Sequence, residues 1–109
     1  MDWNSLTSVE QLQEIKEISK NEKVLIFKHS TRCSISAMAL NRLERAWKEE
    51  TPIKPYLLDL ISYRDVSNQV AQEFAVDHQS PQVLVIENGI CVYDTSHMGI
   101  SYNAVVAAH

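Results

Sequence analysis

The spacing of hydrophobic positions switches several times along the chain between a helical and a strand period, and these switches predict its elements. A first helix is predicted over about residues 8–20, where Thr7 and Glu10 have the spacing of a capping box. The next apolar run, Val24–Phe27, is continuous and partly β-branched, as expected for a strand covered on both faces. The apolar positions of the first helix are Val9, Leu12, Ile15 and Ile18.

From Ser34 the spacing becomes helical again and predicts a long amphipathic helix that ends before Pro52. A second strand is predicted over Pro55–Leu60, and a third helix follows it and ends near Val76. The inward face of the long helix is expected to carry Ser36, Ala39, Leu40, Leu43, Ala46 and Trp47.

Two more strands, Gln82–Glu87 and Ile90–Asp94, are separated by Asn88-Gly89, the preferred pair for a two-residue hairpin turn. A last helix is predicted over Ser101–Ala108. Strands joined through a helix run parallel and strands joined by a hairpin run antiparallel, so the sheet is mixed. The prediction is an α/β fold of three layers (α/β/α), with a central four-stranded mixed sheet and the order helix-βαβαββα.

Composition narrows the range of functions. The 109 residues include 10 Lys and Arg against 14 Asp and Glu, a formal charge of −4, which fits one domain over 1–109 and leaves no basic stripe for nucleic acid. Two cysteines are too few for a disulfide scaffold, and two glycines are too few for a glycine-rich nucleotide loop. Neither a membrane span nor a signal peptide is indicated, so a cytoplasmic location and reduced thiols are expected.

Cys33 is the strongest candidate for chemistry, because it falls between the first long strand and the long helix. Unpaired N–H groups and the positive end of the helix dipole favour a thiolate at such a position. Arg32 adds a positive charge, His29 adds another if it faces the same way, and the Ser36 hydroxyl is expected to donate a hydrogen bond to the sulfur. We predict that Cys33 is a nucleophile whose thiolate is stabilised by Arg32 and Ser36, with a cysteine that only caps or packs as the alternative.

The spacing Cys33-x-x-Ser36 predicts monothiol chemistry. A Cys-x-x-Cys pair resolves its own mixed disulfide, whereas here a hydroxyl stands in the resolving position. Cys33 would therefore take a small thiol from a mixed disulfide and pass it to a second, external thiol. Cys91, in the final strand, is expected roughly 20 Å away, at about 3.3 Å per strand residue, and is interpreted as a packed residue.

The substrate-binding candidates lie on loops. Pro81 directly precedes the third strand and requires a turn-like or cis geometry. A cis bond would leave the backbone of Ser80 free to pair with an extended peptide. Thr31, Ser80 and Pro81 are predicted to bind substrate, and His97 after the last strand is included, although a surface role is its plainer interpretation. The four histidines lack metal-ligand spacing, so no metal site is predicted.

A cysteine at a helix start, a Ser-Pro before a hairpin and this element order together resemble the thioredoxin fold. More specifically, the sequence is similar to the monothiol bacilliredoxin C (YtxJ-like) family over essentially its whole length. The resemblance rests on Phe27–Ser36, on Asp59-Leu60-Ile61 with the Arg64, Val66, Ser67 and Asn68 that follow, on His78–Val83, and on Ser96-His97.

This resemblance implies an activity, the removal of bacillithiol from S-bacillithiolated cytosolic proteins, with Cys33 as the nucleophile. It implies bacillithiol as a co-substrate and no bound cofactor, with a second bacillithiol molecule as the reductant. Arg32 departs from the family, in which a smaller uncharged residue is common at that place. No nucleic acid or membrane partner is expected, and a monomer is favoured.

Two other functions stay open at this point. A [2Fe–2S] carrier of the monothiol glutaredoxin type would hold its cluster with one Cys33 per subunit and an external thiol. Those proteins usually carry Cys-Gly-Phe-Ser, which Ser34-Ile35 does not match. A non-catalytic thioredoxin-like interaction protein would instead have an ordinary, unactivated thiol at Cys33.

Overall fold

A five-stranded mixed sheet with helices on both faces forms the centre of the structure, a computed structural model that describes residues 1–109. Its strands are β1 (Asn4–Ser5), β2 (Lys23–His29), β3 (Ile53–Asp59), β4 (Gln82–Glu87) and β5 (Ile90–Ser96), in the order β1-β3-β2-β4-β5. The helices are α1 (Gln11–Ile18), α2 (Ser34–Ala46), α3 (Arg64–Phe74) and α4 (Tyr102–Ala107), with one 3-10 turn at His97–Gly99.

The predicted fold class is confirmed, but the sheet has five strands and not four. The additional strand, β1, pairs in parallel with β3, with Asn4 opposite Tyr56 and Ser5 opposite Leu57. A strand of two residues is too short to show a hydrophobic period, so the pattern could not indicate it. The four predicted strands are all present.

The predicted capping box at the first helix is wrong. Glu10 is the N-cap residue of α1 but makes no side-chain cap hydrogen bond. The side-chain oxygen of Gln11 accepts from the backbone N–H groups of Thr7 at 2.7 Å and Ser8 at 3.0 Å instead. The helix, Gln11–Ile18, is also shorter at both ends than the predicted residues 8–20. The last helix also starts one residue later than predicted, because Ser101 caps it by accepting from Ala104 N.

The central position of β2 in the sheet explains its continuous apolar run. Its residues alternate between two hydrophobic clusters, one on each face of the sheet, and all are fully buried from Val24 to Lys28. Val24 and Ile26 belong to the cluster with α1 and α3, whereas Leu25 and Phe27 belong to the cluster with α2 and α4. A strand covered on both faces needs no polar alternation.

Strand register brings three chain segments to one edge of the sheet. The last residue of β2, His29, is level with Asp59 at the end of β3. Across the other side, Lys28 is paired with Gln82 at the start of β4, and Gln82 is paired with Ser96 at the end of β5. The turn into α2, the segment before β4 and the segment after β5 therefore all leave from this edge.

The hairpin between β4 and β5 has the predicted turn. Asn88 and Gly89 both have positive φ, 52° and 78°, as a type I′ turn requires. Ser19 holds the turn from α1, because its backbone oxygen accepts from Asn88 N and its hydroxyl accepts from Gly89 N, both at 2.8 Å.

Gly99 ends the 3-10 turn and lies very close to Thr95. A Cβ on Gly99 would clash with Thr95 Oγ1. We expect Gly99→Ala to lower the free energy of unfolding by about 1 kcal/mol, because a β-branched side chain resists rotation away from the added methyl group. Urea unfolding of a double-mutant cycle with Thr95→Ala checks this, and strictly additive changes would contradict it.

Candidate active site

Cys33 is the N-cap residue of α2, at the helix start where the sequence pattern placed it. Its backbone is extended (φ −113°, ψ 120°), its N–H donates to Ser30 O at 3.1 Å, and its carbonyl accepts from Ala37 N at 3.1 Å. The residue is half-buried and its thiol is free. The N-cap position places it at the positive end of the helix dipole, beside the N–H groups of the first turn that have no partner within the helix.

Ser36 does not make the hydrogen bond that was predicted for it. Its side chain is fully buried, and its hydroxyl accepts from Ser30 N at 3.0 Å and lies 2.6 Å from His29 Nδ1. No hydrogen bond joins it to Cys33. A neutral His29 can accept a hydrogen bond at Nδ1 from the Ser36 hydroxyl. The hydroxyl therefore ties the end of β2 to the first turn of α2.

Burial favours the neutral form of His29. It lowers the pKa of His29, while the nearby carboxylates of Asp59 and Glu44 raise it by smaller amounts. The imidazole also packs edge-on near Phe27, with ring centroids 6.1 Å apart. Sequence reasoning considered His29 only as a possible positive charge, and the structure gives it a partner in Ser36 instead.

Arg32 and Thr31 are exposed in the turn that leads to Cys33. The Arg32 guanidinium makes no hydrogen bond or ion pair within the chain, so its charge is open to solvent and to any bound substrate. Charges at such positions are weakened by solvent and salt. The predicted stabilisation of the thiolate by Arg32 therefore stays a prediction.

Pro81 and His97, two of the predicted substrate-binding residues, contact each other at this edge of the sheet. The Ser80–Pro81 peptide bond is cis, Pro81 is buried, and its carbonyl accepts from His97 N at 3.1 Å. His97 has a φ of 53°, in the left-handed region, and is exposed. The N–H and carbonyl of Ser80 make no hydrogen bond within the chain.

Exposed apolar side chains collect beside the start of α2, which sequence reasoning missed. Ile35, Met38 and Met98 are 49%, 65% and 82% exposed. They line a shallow cleft, here termed the methionine cleft, which is completed by Ala39, Arg42 and His97. The available signal was that Ile35 and Met38 fall outside the predicted inward face of the long helix while being strongly apolar.

A buried polar cluster lies under the segment before Pro81, and it was also missed. Lys28 is 0% exposed, and its Nζ donates to Ser67 O at 3.2 Å and contacts His78 Nδ1 at 3.3 Å. Burial lowers the pKa of Lys28 to about 8. Burial also lowers the pKa of His78, and the positive charges of Lys28 and Arg64 lower it further.

Cys91 belongs to a different part of the molecule. It is in register with Ile86, which pairs with Val24 at the far end of β2 from His29. It packs against the cluster on the α1 and α3 face, and burial raises the pKa of its thiol. These features agree with the predicted role of a packed residue.

No three residues of the types His, Cys, Asp and Glu gather in a way that could hold a metal ion. None of the helices is both long and apolar enough to cross a membrane.

The site and the sheet together define a class. A cysteine at the start of the helix after the central strand, with a hydroxyl in the resolving position and a cis-proline at the same edge, is the arrangement of a monothiol thiol-disulfide oxidoreductase with a thioredoxin fold. Residues 4–105 match the family model of the monothiol bacilliredoxin BrxC. The chain belongs to this family.

Solved structures agree with that class. A candidate oxidoreductase with a thioredoxin fold is 31% identical, with a TM-score of 0.80, and the match covers 94% of this chain and 88% of the other. The thioredoxin of Fasciola hepatica is 15% identical, with a TM-score of 0.71 and coverage of 94% and 91%. The thioredoxin of Malassezia sympodialis is 18% identical, with a TM-score of 0.73 and coverage of 97% and 86%. The two thioredoxins show the fold alone.

Proposed function

We propose that this protein removes bacillithiol from S-bacillithiolated proteins by monothiol exchange at Cys33. The observation that carries the proposal is a free, half-buried Cys33 at the N-cap of α2, with the fully buried hydroxyl of Ser36 three residues on, where a resolving thiol would stand. The family supports the identity of the thiol. The reaction requires a reducing compartment such as the cytoplasm.

The exchange proceeds in two balanced steps. The Cys33 thiolate attacks the bacillithiol sulfur of the mixed disulfide, and the sulfur of the substrate protein leaves as a thiolate that takes a proton from solvent. Cys33 then carries bacillithiol in a mixed disulfide. A second bacillithiol, as its thiolate, attacks the captured bacillithiol sulfur, forms bacillithiol disulfide and returns Cys33 to its thiolate form. The substrate protein is reduced and bacillithiol is oxidised.

The surroundings of Cys33 support binding of an extended polypeptide. The unpaired N–H and carbonyl of Ser80 can hydrogen-bond to a peptide backbone, with Pro81, Thr31 and His97 as flanking contacts. The methionine cleft is continuous with the start of α2 and suits apolar side chains of the substrate protein. Methionine adapts its shape readily, which suits an enzyme with many protein substrates.

Intact-mass analysis tests the proposal. Reduced protein is mixed with an S-bacillithiolated test protein, and a parallel sample receives the same test protein carrying glutathione. We expect a bacillithiol adduct on Cys33 together with release of the unmodified test protein, followed by loss of the adduct when free bacillithiol is added. If the test protein stays bacillithiolated and no adduct forms, the proposal is wrong. Equal rates with both modifications would contradict the assignment to bacillithiol.

A further inference from the structure

Lys28 is the only ionisable side chain among the fully buried residues, and no carboxylate lies within ion-pair distance of its Nζ. Its hydrogen-bond partners are the Ser67 carbonyl and His78 Nδ1. A buried amino group without a counter-charge is unfavourable compared with an apolar side chain of the same size. The hydrogen bonds of Lys28 Nζ to Ser67 O and His78 Nδ1 therefore have to offset the cost of burying this amino group.

A second buried polar side chain hydrogen-bonds to the chain segment around His78. Gln82, which is 1% exposed, is the register partner of Lys28 on β4. Its Nε2 donates to Asp77 O at 2.9 Å, and its Oε1 accepts from Gln79 N at 3.4 Å. Residues 77–81, here termed the proline segment, are therefore held by Gln82 on either side of His78. At His78 itself they are held by Lys28 Nζ at 3.3 Å and by Ser67 Oγ at 3.4 Å.

Lys28 is also continuous with the segment that bears the cysteine. It is followed by His29 and Ser30, which hold the Ser36 hydroxyl through a ring nitrogen and a backbone N–H. The end of β2 thus connects to two structures at once. One is the proline segment, reached through His78, and the other is the turn into α2, reached through Ser36.

We propose that Lys28 is a positioning residue, which fixes the proline segment relative to Cys33 through its hydrogen bond to His78. The inference rests on the proposed function, because it assumes that Ser80 and Pro81 bind the substrate whose disulfide Cys33 attacks. Lys28 is fully buried, and its Nζ contacts only Ser67 O and His78 Nδ1, neither of which belongs to the turn into α2. Its loss is therefore expected to weaken substrate binding and to leave the reactivity of the Cys33 thiol unchanged.

Substitutions at His78 test this with little risk to folding, because the residue is exposed. His78→Ala removes one of the two partners of Lys28 Nζ and leaves Ser67 O in place, whereas His78→Asn keeps a hydrogen-bond acceptor close to the position of Nδ1. Single-turnover rates with an S-bacillithiolated peptide, measured over a range of peptide concentrations, give KM and the maximal rate. Iodoacetamide alkylation of Cys33 gives the reactivity of the thiol without substrate binding.

We expect His78→Ala to raise KM about tenfold, the order expected when a hydrogen bond to a buried amino group is lost, with a maximal rate within about twofold of the wild type. His78→Asn restores KM to near its original value. Lys28→Met, which removes the nitrogen, raises KM in the same direction but by less, because Ser67 Oγ still lies 3.4 Å from His78 Nδ1. An unchanged KM in a folded Lys28→Met assigns the effect to Ser67 and overturns the inference. Asp77→Asn, an exposed change in the same segment that leaves the backbone bond to Gln82 in place, is the control and has no effect.

An unchanged KM in His78→Ala overturns the inference, while continued transfer of bacillithiol to wild-type Cys33 leaves the proposed function standing. A fall in alkylation rate that parallels the rise in KM also overturns it, because a general loss of structure would then explain both. If the wild-type protein takes no adduct from any bacillithiolated substrate, the proposed function fails and the inference fails with it.

Discussion

Replacing Cys33 with serine lowers the rate of thiol exchange by at least about a thousandfold, the order of loss expected when the nucleophile of a covalent mechanism is removed. A serine hydroxyl at the N-cap stays protonated at neutral pH and forms no disulfide, so neither step of the exchange can take place. The fold is expected to survive, because serine is a favoured N-cap residue and Cys33 is only half-buried. Release of bacillithiol from a test protein, followed by mass spectrometry, measures the loss.

The matched control is Cys91→Ser. The Cys91 thiol packs on the α1 and α3 face of the sheet, level with the far end of β2. The exchange rate of Cys91→Ser is therefore expected to stay within about twofold of the wild type. Placing a hydroxyl in this partly buried site should lower the stability only slightly. Retention of activity by Cys33→Ser, or its loss in Cys91→Ser, would contradict the assignment of the nucleophile.

The helices, the four longer strands and the hairpin could be predicted because each has a local signal. The continuous apolar run of β2, the helical spacing in α2 and the Asn88-Gly89 pair all follow from rules that act over a few residues. β1 has no such signal. Its two residues become a strand only because β3 offers a parallel edge at Tyr56 and Leu57, which are distant in sequence.

The candidate site was predictable where it depends on the chain order. Cys33 had to fall at the start of α2 once the strand and the helix on either side were recognised, and Pro81 had to precede β4 for the same reason. The partner of the Ser36 hydroxyl was not predictable in this way. Ser36 and Cys33 are neighbours on the helix, but His29 and Ser30, at the end of β2, also lie beside Ser36. The Ser36 hydroxyl bonds to them and not, as predicted, to the Cys33 sulfur.

The burial of Lys28 was even harder to predict from the sequence. A lysine at the end of an apolar run is normally taken as the point where a strand reaches solvent. Here the residues that surround it come from α3 and from the segment before β4, about 40 and 50 positions away in sequence. Only tertiary structure can tell a buried lysine with two partners from an exposed one.

We expect the residue at position 36 to decide whether the enzyme needs an external thiol, and Ser36→Cys tests this directly. Residues three apart on a helix have Cβ atoms about 5–6 Å apart, close enough for a disulfide after small movements. We expect the introduced thiol to attack Cys33 Sγ in the bacillithiol adduct and release bacillithiol. Intact mass would then show a loss of about 2 Da in place of the adduct, because two thiols have formed one disulfide.

The substitution also has a structural effect. The introduced thiol is a weaker acceptor from Ser30 N and a weaker donor to His29 Nδ1 than the hydroxyl. The free energy of unfolding is therefore expected to fall by about 1–2 kcal/mol. Ser34→Cys is the matched control. It adds an exposed thiol next to Cys33 that does not share its face of the helix, so the adduct should persist. A stable bacillithiol adduct in Ser36→Cys would mean that a thiol at this buried position cannot reach Cys33. The need for an external thiol would then follow from the geometry of the first turn of α2. It would not follow from the absence of a second cysteine.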